Sequence, residues 1–261
     1  MSTWWGAWFG RAGGCDKLVR AMKCRLCAWL CDRFCPPETG SSALWRAAHD
    51  WEEEYAADWE PAEEDDEIRD RWEEAKALLD ENPAAALAIH RELAEGGSPF
   101  SMLRAGWHHE TGRGTEVDAA AAEDFYRRAL CAGSWKGTLY YARLLFRRGA
   151  HDKWPSTLGD GVDKGFVPSF FWLAWYSYEH SPSARTAREV RHLLEAAGEA
   201  GHPGARLALA RWTALGKFGL REIPRGVRML RGIFRSQVEA ERGDHTMPTP
   251  RRAAEPAGDV A

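Results

Sequence analysis

The sequence predicts an all-α chain built as a solenoid of stacked helical hairpins, and three observations carry that prediction. Glycines recur at Gly97, Gly133, Gly165 and Gly201, spaced by 36, 32 and 36 residues, and a period of that size marks a repeat architecture. Small side chains recur at fixed offsets from them: Ser101, Gly137, Ser169 and Ala205 four residues on, and Gly106, Ala142, Ala174 and Ala210 nine residues on. A largely apolar ladder precedes each glycine, with Ile89, Phe125, Thr157 and Leu193 eight residues before it and Leu93, Ala129, Gly161 and Ala197 four before. A spacing of four keeps to one helical face.

Each unit therefore reads as helix, turn, helix, closed by a glycine where a helix C-terminus favours a left-handed residue. The units run over about 66–97, 98–133, 134–165, 166–201 and 202–236, within a repeat region spanning 66–238. Gly112-Arg113-Gly114 and Gly216-Lys217-Phe218-Gly219 fall between the two helices of their units, and Pro203 follows a helix end, where proline is tolerated. The unit from Ser134 lacks a Gly-x-Gly turn and carries Pro155 in its second helix, while the unit from Phe166 substitutes Ser181-Pro182-Ser183 for the turn. One hairpin alone leaves its apolar face exposed, so such units stack and share one core.

The best unit is Ala105-Gly106-Trp107-His108-His109-Glu110-Thr111-Gly112-Arg113-Gly114, continuing through Asp118, Ala122, Phe125 and Ala129 to Gly133. It resembles the pattern of Sel1-like repeats, relatives of the tetratricopeptide repeats: Leu-Gly, an aromatic three residues on, Gly-x-Gly, Asp, Ala, aromatic, Ala-Ala and a final Gly. The resemblance covers about two-thirds of the chain. It implies a right-handed superhelical solenoid that binds a peptide or protein in its groove and performs no catalysis. Secreted members of that family carry a disulfide in each repeat, whereas here only Cys131 lies within the repeats, so a disulfide framework is not expected.

The flanks differ in charge. Residues 1–40 form a basic, Cys- and Trp-rich segment read as helical; within residues 1–36 six cations face two carboxylates, a net of +4. Residues 41–65 form an acidic linker or helix containing Glu52-Glu53-Glu54 and Glu63-Glu64-Asp65, and the acidic run from Asp50 reads as a solvated helix or linker, with an acidic docking strip for a basic partner as the alternative. Residues 239–261, with Pro248, Pro250 and Pro256, read as a disordered tail. A net charge of −4 speaks against nucleic acid as a partner. No stretch is apolar for long enough to span a bilayer. No basic region precedes an apolar stretch at the N-terminus, so no cleavable signal is read and a cytoplasmic location is expected.

Cys24, Cys27, Cys31 and Cys35 invite a metal reading, but on one helix the first and last would stand about 16 Å apart, beyond the reach of one tetrahedral ion. The simplest reading is an amphipathic helix with Leu18, Met22, Leu26, Trp29, Leu30 and Phe34 beside the thiols. A metal or redox site at those four cysteines is one alternative, and peripheral membrane contact through residues 1–36 is another. His108-His109-Glu110 reads as surface or interface histidines rather than a metal site or general base, since neighbours on a helix diverge by about 100°. No phosphate loop, nucleophile elbow or zincin motif is present, and neither an enzyme activity nor a cofactor is expected.

Fourteen tryptophans are many for this length, and most are expected in the core. Ten residues after each repeat glycine, however, stand Trp107, Arg143, Trp175 and Arg211, residue types that dominate binding hot spots. Together with Tyr176 and Trp212 they form the expected contact surface of a protein-interaction scaffold. The rival function is a membrane-surface protein anchored by its N-terminal helix.

Overall fold

Twelve α-helices and one short 3-10 turn make up the described residues of the computed structural model, which are 43–57 and 66–241, with no strand among them. The expectations for residues 1–40, for the metal alternative at Cys24, Cys27, Cys31 and Cys35, for membrane contact through residues 1–36 and for residues 242–261 of the expected tail fall outside that range, whereas residues 239–241, expected in that disordered tail, end the helix Ile223–Glu241. By density of internal contacts the chain divides into two units, Glu54–Pro182 and the pair Met1–Glu53 with Ser183–Ala261.

The unit Glu54–Pro182 holds α2 (Asp66–Glu81), α3 (Pro83–Glu95), α4 (Pro99–Thr111), α5 (Ala119–Cys131), α6 (Trp135–Arg147), α7 (Trp154–Asp163) and α8 (Val167–His180). Each helix packs on the next in the chain, and the alternate helices α4, α6 and α8 also touch in succession, the contact order of stacked hairpins. Leu87, Met102, Leu103, Tyr126 and Leu144 fuse neighbouring hairpins into one core cluster.

The joints between hairpins follow from the periodic glycines. Gly97, Gly133 and Gly165 have φ of 98°, 92° and 81°, and the amide after each reaches back to the helix before it: Ser98 N–H to the Leu93 carbonyl (3.0 Å), Ser134 to Ala129 (3.0 Å), Phe166 to Gly161 (2.8 Å). This six-residue closure satisfies carbonyls that a helix end leaves open. The residue after the glycine then caps the next helix. Ser98 and Ser134 accept the amides of Ser101 and Gly137 at 3.2 and 3.1 Å, as N-cap serines do. Two residues thus stop one helix and start another.

The small positions lie where the periodicity places them. Ser101, Ala142, Ser169 and Ala174 are fully buried, and a methyl group on Gly106 would sit 2.6 Å from the Tyr126 ring, so no larger residue fits there without displacing the ring. Arginines tie each hairpin to its predecessor at nearly the repeat spacing: Arg113 to Asp80, Arg128 to Glu95 at 2.9 Å, and Arg143 to Glu110 at 3.2 Å.

The other unit contains the start of α1 (Ala43–Ala57), then α9 (Ala184–Glu189), α10 (Arg191–Glu199), α11 (Pro203–Ala214), a 3-10 turn at Leu220–Glu222 and α12 (Ile223–Glu241). α10 packs on α11 and α11 on α12. Gly201 repeats the joint, with φ of 102° and His202 N–H bonded to the Ala197 carbonyl at 2.9 Å. Here the cap is His202, whose Nδ1 accepts the Ala205 amide at 3.1 Å. Its Nε2 is then the protonated nitrogen, and it donates to Glu52 at 2.8 Å.

Two further expectations are corrected. Glu52 is buried rather than solvated; burial pushes its pKa up, but hydrogen bonds from His202 and His49 outweigh that and hold the carboxylate below its usual range. His108 is buried rather than on the surface, because α4 sets its ring against His90 (centroids 5.9 Å apart) and its Nδ1 is 2.6 Å from the Arg113 carbonyl. Pro155 lies in the second helix of its unit, as the sequence places it: α7 begins at Trp154, so the proline occupies the first turn, where no amide bond is lost.

Candidate partner-binding surface

Positions three, seven, ten and fourteen after each repeat glycine alternate in steps of four and three, which keeps them on one face of the first helix of a hairpin. On α4 these are Phe100, Arg104, Trp107 and Thr111, and on α6 they are Lys136, Tyr140, Arg143 and Arg147. Phe100 and Arg147 are exposed, and Arg104, Trp107, Tyr140 and Arg143 are half-buried.

On α4 the face is a cation–aromatic stack. The Trp72 ring lies 4.6 Å from that of Phe100, and the Arg104 guanidinium stands 5.5 Å from Phe100 and 5.9 Å from Trp107. Arg113 approaches Trp107 at 5.7 Å. Each contact of this kind contributes about 0.5–1 kcal/mol at an exposed site, so the stack is held in place before any partner arrives.

On α6 the face is organised by one carboxylate. Glu110 accepts from Tyr126 Oη at 2.6 Å, from Arg143 Nη2 at 3.2 Å and from Arg147. Burial pushes the Glu110 pKa up, but Arg143, Tyr126 and Arg147 outweigh that and keep it ionised. Burial and the Glu110 carboxylate push the Tyr126 phenol up, so it remains a donor. Arg143 lies 4.6 Å from the Tyr140 ring, and its Nε is buried with no hydrogen-bond partner among the described residues. Two guanidiniums share one carboxylate, which leaves the α6 face cationic.

Of the residues singled out in the sequence, Trp107 and Arg143 lie on this half-open face. Trp175 and Tyr176 do not: both are buried, Trp175 beside Phe171 and Tyr176 stacked on Phe146 at 4.2 Å. Arg211 is half-buried and Trp212 buried beside Phe218, both in the unit that includes Ser183–Ala261. Selection by the tenth position alone passed over Phe100, Arg104, Glu110, Tyr140 and Arg147. The helical spacing of four and three around Trp107 and Arg143 was the signal that would have added most of them.

Among the described residues no group of three or more His, Cys, Asp or Glu side chains could hold a metal ion, and no helix is long and apolar enough to cross a membrane. Cys131 is a free, exposed thiol.

No protein-family model and no curated protein matches the sequence. Among solved structures the chain is similar to the crystal structure of a Sel1 repeat protein from Oxalobacter formigenes, at 17% identity and a TM-score of 0.48, over 85% of this chain and 99% of that one.

Proposed function

We propose that this chain is a non-catalytic scaffold of the Sel1-like kind, and that it binds a peptide or protein segment on the face formed by α4 and α6. The observation that supports the reading is the half-open stack of Phe100, Arg104 and Trp107 beside Tyr140, Arg143 and Arg147. Arginine and large aromatics contribute most to hot spots because they bury area and lose little rotamer freedom when already packed. The face carries four cations, Arg104, Lys136, Arg143 and Arg147, against Glu110, which favours a segment with carboxylates and one or two apolar anchors.

The test is a crosslinking pulldown from the source cell with wild type and with Arg104→Ala/Trp107→Ala. Loss of an enriched partner from a double mutant that keeps its helical circular dichroism supports the reading. An unchanged partner list overturns it.

A further inference from the structure

The last described helix, α12, carries an arginine stripe of which the described chain engages one member. Arg225, Arg228, Arg231 and Arg235 follow each other by three, three and four residues, which at about 100° per residue places them within an arc of about 120°. All four are exposed. Arg225 reaches Glu222 at 3.5 Å, while Arg228, Arg231 and Arg235 have no ion pair or hydrogen bond among the described residues. Beside the stripe, α10, α11 and α12 enclose a groove of about 510 Å³ with an apolar floor of Leu209, Met229 and Ile233. Gly232 lines it, and a methyl group there would meet open space.

We propose that this groove and stripe form a second docking surface, which takes an acidic amphipathic helix of a partner protein. The apolar floor receives one or two aliphatic side chains of the incoming helix, and its carboxylates pair with Arg228 and Arg235, which flank the groove on α12. The far wall fixes its orientation. Glu195 there is held by Arg191 at 2.7 Å, and exposed Glu199 lines the groove together with exposed Arg206, so that side has no cationic excess and the acidic side of the ligand faces α12. A nucleic acid strand would satisfy the arginines and leave the apolar floor uncovered, with no exposed ring on the stripe for a base to stack on. An anionic membrane fits poorly for a different reason: the apolar side chains Leu209, Met229 and Ile233 are only partly exposed, while the exposed positions of α12 beside them carry Arg225, Arg228 and Arg235, the reverse of an interfacial helix, whose apolar face enters the lipid.

The experiment is fluorescence anisotropy on the full chain with four probes. These are a labelled synthetic helical peptide of about 16 residues with leucines on one face and glutamates beside them, its twin with glutamine for glutamate, a single-stranded oligonucleotide, and vesicles of phosphatidylcholine with phosphatidylserine. The expected result is saturable binding of the acidic peptide that weakens with salt, and binding roughly tenfold weaker for the glutamine twin and for Arg228→Gln/Arg235→Gln. Gly232→Phe fills the groove from within a helix that gains propensity by the change, and it should abolish binding while α12 stays folded. Equal binding of the glutamine twin, insensitivity to either variant, absence of saturable binding, or tighter binding of the oligonucleotide or vesicles through the same arginines would each overturn the proposal.

Discussion

The same helical register has opposite fates in neighbouring hairpins. Seven and ten residues after the glycine stand Arg104 and Trp107 on α4, Tyr140 and Arg143 on α6, and Trp172 and Trp175 on α8. The first four are half-buried, whereas Trp172 and Trp175 are only 6% and 7% exposed. The difference is written in the whole helix rather than at the register position. α8, Val167–His180, is apolar or aromatic on nearly every side through Tyr176, and a helix of that composition is a buried one. α4 and α6 keep arginines and a glutamate on the face in question. A repeat offset identifies which residues are equivalent in the fold; the surrounding helix decides whether they meet a partner or the core.

The sharpest way to break this comparison is to truncate the equivalent tryptophans. Trp175→Ala should cost about 3–5 kcal/mol in chemical denaturation, as large-to-small changes in a packed core do, while Trp107→Ala, half exposed, should cost about 1–2 kcal/mol from lost area. Equal losses would erase the distinction between the two faces.

Acid should act from beneath the α4 stack. His90 is buried against His108 and Phe100, and its pKa is pushed down to about 4, first by burial and then by His108 and Arg104. The unfolded chain binds that proton near pH 6.5, so between about pH 6.5 and pH 4 the unfolded state holds more protons and stability falls as the pH falls. The loss is on the order of 3 kcal/mol. His108 and His109 are also lowered by burial and add to it in the same direction. His90→Leu should flatten the slope of melting temperature against pH in that window; an unchanged slope would mean that the buried pair does not titrate with unfolding.

On α6 the expected effect is smaller. Glu110→Gln removes the shared carboxylate from Arg143, Arg147 and Tyr126, and should destabilise by about 2 kcal/mol, because a half-buried guanidinium loses its counter-charge. Wild-type stability would contradict the view that this carboxylate organises the face. Smallest of all, Arg128→Ala on the outer side, whose Glu95 partner is largely exposed, should change stability by less than about 1 kcal/mol.

Much of the fold was legible. The glycine period, the small positions at four and nine residues and the turn at Gly112–Gly114 all act locally: a left-handed residue, a methyl group too many or a missing cap is a property of a few neighbouring residues. What the sequence did not disclose depends on distant ones. The buried pair of Glu52 with His202 joins residues 150 apart in the chain, and nothing in an acidic run marks which glutamate will find a histidine. The burial of His108 likewise depends on His90 in the preceding helix. The candidate site was half legible: Trp107 and Arg143 were reached by their offset, but the carboxylate that unites Arg143 and Arg147 lies on another hairpin.

The most direct measurement places a photo-crosslinking benzoylphenylalanine at Phe100, on the open face, and separately at Arg127, on the exposed side of α5, in the source cell. The scaffold reading predicts a discrete covalent adduct at Phe100 that disappears with Arg104→Ala and has no counterpart at Arg127. An adduct at Arg127 with none at Phe100 would contradict it.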